Sequence, residues 1–89
     1  MTDLDHVWIL RRVSEADRRA WIESTFVART AENPITVMHA LSRMRELLTA
    51  YERAAVHEAR ERGASWSEIG EALGRSRQSV QRSFGGEES

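Results

Sequence analysis

From Pro34 to Gly63 the chain reads "PITVMHALSRMRELLTAYERAAVHEARERG", with no glycine or proline between those two ends, and this stretch constrains the fold most. Asn33 stands before Pro34, where its side chain can cap a helix, and a proline in the first turn gives up no donor that the helix needs. Gly63 suits the left-handed position just past a helix end. His57, Arg60 and Arg62 suit the negative pole of the helix dipole. Pro34 to Arg62 is therefore expected to form one helix, roughly 43 Å long at about 1.5 Å per residue. That is long for a chain of 89 residues.

Along this helix Val37, Leu41, Met44, Leu48, Tyr51 and Ala55 follow one another at alternating spacings of four and three, which places them on one continuous stripe. Ile35, Met38, Leu47, Ala50 and Ala54 widen it. A stripe so wide can pack on an N-terminal helix, on a second copy of itself, or on both. The favoured expectation is a homodimer whose seam includes Val37, Leu41, Met44, Leu48 and Tyr51.

Upstream, "SEADRRAWIESTFVARTA" begins with Ser14 and Asp17 at capping-box spacing, and Glu15 can pair with Arg18 or Arg19 one turn on. Glu15 to Thr30 is read as a helix, although Ile22, Thr25 and Val27 are β-branched and also suit a strand. The segment "DLDHVWILRRV" fits a short helix or a strand over residues 4–12, and a lone strand lacks an obvious partner. Trp8, Trp21 and Trp66 each lie among aliphatic residues and are expected to anchor the core. The terminal "GGEES" is expected to fray. The result is an all-α chain forming one compact domain: residues 1–62 make a helical support and dimerisation region, and residues 63–86 make a separate short unit.

That short unit holds the uneven charge. The chain carries a net charge of −1, yet Arg75 to Gly86 contains three arginines and no acid. Met1 to Ala64 balances ten arginines against ten acids. Within "SWSEIGEALGRSRQSVQRSF", Ser65 and Glu68 form a capping box that starts a helix at Trp66, and Gly74 ends it after about two turns. Ile69 and Leu73 point to one side. Gly70, having no side chain, lets a neighbouring helix approach closely. Ser76 caps a second helix, Arg77 to Phe84, with Val80 and Phe84 on its buried side. Arg77, Gln78, Gln81 and Arg82 then face outward. Arginine can donate a fork to guanine or hold phosphate, glutamine can pair with adenine, and a capping serine suits a phosphate oxygen.

The stretch "GASWSEIGEALGRSRQSVQRSF" resembles the helix-turn-helix of bacterial transcription regulators and of the promoter-reading region of sigma factors. Ile69, Gly70, Leu73, Gly74, Ser76 and Val80 stand where that motif has apolar, small, apolar, glycine, cap and apolar residues. It looks especially like small helix-turn-helix proteins of high-GC bacteria, in which a long helix leads through a Gly-Ala-Ser-Trp turn. The resemblance implies a sequence-specific partner, double-stranded DNA, read in the major groove by Arg77, Gln78, Gln81 and Arg82, with Arg75 and Ser76 at phosphates. Two positions depart from the pattern. Arg75 follows the turn glycine where an apolar residue is usual, and Ser83 stands where one is common. Arg75 then either snorkels out to phosphate or marks looser helix packing.

A different class of function is a helical adaptor that binds RNA polymerase, a sigma factor or another regulator, for which the near-neutral total charge speaks. His6, His39 and His57 lack metal-ligand spacing, no serine sits in a nucleophile elbow, and no glycine-rich phosphate loop follows a strand. No enzyme activity, cofactor or metal is expected. The chain has no cysteine, so neither disulfides nor thiolate metal sites can supplement a modest core. This suits a reducing cytosol, and the absence of a leader or a spanning segment points to a cytoplasmic, nucleoid-associated protein.

Overall fold

The computed structural model describes residues 7–88. Residues 4–6 of the ambiguous first segment, and Ser89 of the tail expected to fray, lie outside the described residues. The described chain is all-helical, with α1 at Ile9–Arg12, α2 at Glu15–Thr30, α3 at Pro34–Glu61, α4 at Trp66–Leu73 and α5 at Arg77–Phe84. The described part of the first segment is thus helical where a strand had also been open. After Phe84 the backbone continues into a 3₁₀ turn, Gly85–Glu88, because Gly85 keeps a right-handed conformation. No described helix is long and apolar enough to cross a membrane.

The chain divides into two compact units, Met1–Ala54 and Ala55–Ser89. The division falls inside α3, earlier than the boundary after residue 62 that the sequence suggests. Val56 and Ala59, in the last turns of α3, pack with α4 and α5, so those turns belong to the second unit.

In the first unit, Ser14 caps α2 by accepting a hydrogen bond from the Asp17 N–H at 3.1 Å, and Arg19 pairs with Glu15 at 2.9 Å. Arg18 turns the other way, donating to the carbonyls of Leu10 and Val13 at the end of α1. Asn33 caps α3, its Oδ1 accepting from the Ile35 N–H at 2.9 Å. Residues late in α2 border a groove with residues early in α3, and Trp21 meets Tyr51 at 5.6 Å, so the two helices run antiparallel. The buried residues of α3 in this unit are Ala40, Leu47 and Ala54, spaced by seven. The stripe expected to be the packing face lies to one side of that seam. Leu41 and Leu48 are exposed, while Val37, Met44 and Tyr51 are half-buried. Val13 is also buried, whereas Trp8 and Trp21, expected as core anchors, are only half-buried.

The second unit has a denser core of Val56, Trp66, Ile69, Val80 and Phe84, edged by Ala59, Ala64 and Leu73. At the end of α3 the Ala64 N–H donates to the Ala59 carbonyl at 2.9 Å around Gly63, whose φ of +92° favours glycine. Arg60 then donates to the Ala64 carbonyl and lies 4.6 Å from the Trp66 ring centre, covering the one buried tryptophan. The Ser65–Glu68 capping box forms in both directions, at 3.0 and 2.9 Å.

Gly70 is the tightest point of this unit. A Cβ built there would stand 2.6 Å from the Arg75 carbonyl oxygen and 3.2 Å from the Arg77 nitrogen. The backbone of the turn itself makes the close approach, and backbone cannot move aside as a flexible side chain does. Gly70→Ala is expected to lower stability by about 1–3 kcal/mol in urea denaturation, despite the ~1 kcal/mol that alanine gains in helix propensity. Glu68 offers a second check. The Ser65 backbone N–H, and then its hydroxyl, hold the Glu68 carboxyl below its ordinary value of 4.5. Its folded pKa is depressed, so its contribution is present above about pH 4.5 and is lost as pH falls through the lower folded value. The Tm difference between wild type and Glu68→Gln should therefore shrink on acidification.

Candidate nucleic-acid interface

The site is built from the turn after α4. Gly74 takes a φ of +68°, a left-handed conformation that stops α4, and the Arg75 N–H closes back on the Gly70 carbonyl at 2.8 Å. Ser76 follows in extended conformation, and its Oγ accepts from the Ser79 N–H at 3.0 Å, which starts α5. With Gly74, Arg75 and Ser76 as the whole connection, α5 begins directly beside α4.

Val80 is fully buried and Phe84 nearly so, one turn apart on the same side of α5. This fixes the rotation of the helix about its own axis. Helical spacing of about 100° per residue then places Arg77, Gln81, Gln78 and Arg82 on one arc away from the core. All four are exposed, as is Ser76. Arg77 stands one turn from Gln81, and Gln78 one turn from Arg82. The arc has two guanidinium groups, two carboxamides and no carboxylate.

Arg75 is brought to α5 but not to that arc. Its Nε donates to Ser79 Oγ at 3.0 Å, and its Nη2 donates to Ser79 Oγ at 2.7 Å, the Ser79 carbonyl at 3.2 Å and Ser83 Oγ at 2.6 Å. The guanidinium lies 5.7 Å from the Phe84 ring centre. It does not reach out freely from the turn. It runs along the flank of α5 and ties the turn to the helix.

The two departures from the expected pattern therefore explain each other. Ser83, polar where an apolar residue is common, accepts from the arginine that stands where another apolar residue is usual. Sequence reasoning missed Ser79 and Ser83 as partners of Arg75. Their spacing of four and eight residues after Arg75 was the available signal, since serines so placed on a helix share one flank.

Among the described residues no group of His, Cys, Asp and Glu is placed to hold a metal ion. The five residues expected at a dimer seam, Val37, Leu41, Met44, Leu48 and Tyr51, all lie in the first unit, on the side of α3 next to its buried seam. Comparison of the chain with protein-family models, curated proteins and solved structures gives no match. Its function must be read from these residues alone.

Because the Arg75 bonds are charge-assisted, and the group is only partly open to solvent, they should contribute measurably to holding α5. Arg75→Ala is expected to lower stability by about 1–2 kcal/mol in urea denaturation. Arg75→Lys should recover little of this, because a single ammonium cannot span both serines and the Ser79 carbonyl as the planar fork does.

Proposed function

We propose that this protein binds double-stranded DNA sequence-specifically through its second unit, as a small bacterial transcription regulator acting at the nucleoid in the cytoplasm. In this reading α4 and α5 work as a helix-turn-helix, and α5 enters the major groove. Arg77, Gln78, Gln81 and Arg82 contact base edges, and Ser76 contacts a phosphate near the helix N-terminus. Arg75 acts at the adjacent phosphate or through the pose of α5.

The observation that carries the reading is the acid-free outward arc of α5. Carboxamides and guanidinium groups are the side chains that pair in two-pronged fashion with adenine and guanine edges. A merely solvated helix face, on a chain that balances ten arginines against ten acids over Met1 to Ala64, would be expected to mix its signs. The buried Val80 and Phe84 support the reading, because they hold that arc out on a helix that has no acid of its own.

Salt distinguishes this from the adaptor reading. Affinity for a duplex selected from random DNA should fall steeply between about 50 and 200 mM salt, whereas an apolar protein interface hardly responds. Arg77→Ala should cost about 1–3 kcal/mol in binding and relax preference at one base position, as read by fluorescence anisotropy on a panel of single-base variants. Equal loss on every duplex would refute its place at a base edge. No retarded duplex at low ionic strength would refute the reading as a whole.

A further inference from the structure

The first unit is short of buried surface. Among its described residues the buried apolar ones are Val13, Ala40, Leu47 and Ala54, two of them alanines, and α2 has no buried residue along its sixteen positions. Helices in proteins are held chiefly by the packing of an apolar face, and a single antiparallel pair offers little of it. Yet apolar side chains are present in quantity. Ile35, Met38, Leu41 and Leu48 are 58, 59, 44 and 47% exposed on α3 alone.

We propose that a second copy of this chain covers the first unit, docking at the groove between α2 and α3 lined by Trp21, Leu41, Met44 and Leu48. The groove has a volume of about 290 Å³ and a mainly apolar lining. Two features select a second copy over an unrelated protein. The apolar positions Val37, Leu41, Met44, Leu48 and Tyr51 alternate in steps of four and three, a period of 3.5 that suits another helix with the same repeat. Leu41 and Leu48 also project beside the groove that such side chains fill, so one surface carries both the ridge and the hollow. That self-complementarity is what a two-fold interface needs.

The area is also of the right size. The exposed Met38, Leu41 and Leu48 side chains of α3, with the half-buried Trp21 and Met44, form a patch on the order of 300 Å² per protomer, within the range of the largest patch on a monomer. A standard interface buries ~800 Å² per partner, and the flanking polar side chains of α2 and α3 supply the rest. This inference stands without the DNA reading. Where that reading also holds, a dimer carries two α5 helices and gains avidity from the second.

The test is the mass of the full chain by sedimentation from about 1 to 100 µM, with Tm followed over the same range. Wild type should show a twofold rise in mass across or below that range, and a Tm that climbs with concentration if the transition lies within it. Leu41→Gln/Leu48→Gln should be monomeric with a Tm independent of concentration. Ile22→Gln/Phe26→Gln removes two exposed apolar side chains that the groove does not use, and should leave the twofold mass intact. Should the Leu41/Leu48 variant fail to fold, single-cysteine Arg45→Cys keeps the question open to measurement, since the chain has no cysteine of its own. Arg45 borders the groove, so its thiol should be alkylated more slowly as protein concentration rises. A monomer at 100 µM, a dimer untouched by the Leu41/Leu48 change, or an Arg45→Cys thiol alkylated as fast in the dimer as in the unfolded chain would overturn the proposal. None of these readouts involves DNA, so failure here leaves the DNA reading to its own experiment.

Discussion

Everything in the second unit depends on how Val80 and Phe84 seat against Val56, Trp66 and Ile69. A helix of eight residues has too few internal hydrogen bonds to persist alone in water, so α5 exists because one of its sides is buried. The same burial decides which side is open. Had the inward pair been offset by one residue, the helix would have rolled by about 100° and part of the Arg77–Arg82 arc would have turned into the core. The chemistry on the open side is thus set by two apolar residues on the other.

Three local devices bring α5 to that seat. Gly74 reverses the chain in a left-handed conformation, Ser76 satisfies an early amide of α5, and Gly70 lets the turn backbone pass within van der Waals range of α4. Arg75 then fastens the turn to the flank of α5 through Ser79 and Ser83. An apolar side chain at position 75 would act by burial. The arginine instead spends its donors on two hydroxyls and a carbonyl and rests its plane near Phe84, so a polar clasp takes the place of an apolar contact. This choice leaves the exposed arc of α5 to Arg77 and Arg82 as its charged groups.

The two units differ in how far their own residues satisfy them. The second joins a tryptophan, an isoleucine, a phenylalanine and two valines in one buried cluster. The first buries a seam of Ala40, Leu47 and Ala54 and leaves larger side chains at its edge. The two alanines of that seam let a neighbouring backbone come near but remove little apolar area from water, which leaves Leu47 as its one large buried side chain. The larger side chains at the edge were placed by the sequence on a neighbouring arc of the same helix, about 80° away, and this is why the proposed self-association belongs to the first unit.

The bounds of α2, α4 and α5 were legible in the residues, and α3 ends at Glu61, one residue before the expected end, because caps and breakers act within a few positions. Ser14, Asn33, Ser65 and Ser76 each bind the amide that their position implies, and Gly63 and Gly74 take the left-handed conformation that ends a helix. The inward direction of Val80 and Phe84 was legible for the same reason, since periodicity alone separates the faces of a short amphipathic helix. Tertiary structure decided what periodicity leaves open. The apolar arc of α3 is wide enough for two packing directions, and only the packing of the folded chain selects Ala40, Leu47 and Ala54 over Leu41 and Leu48 for burial. Likewise an arginine has five donors and a long stem, so its sequence neighbours allow several destinations. Only the folded turn, with Ser79 and Ser83 within reach, determined where Arg75 goes.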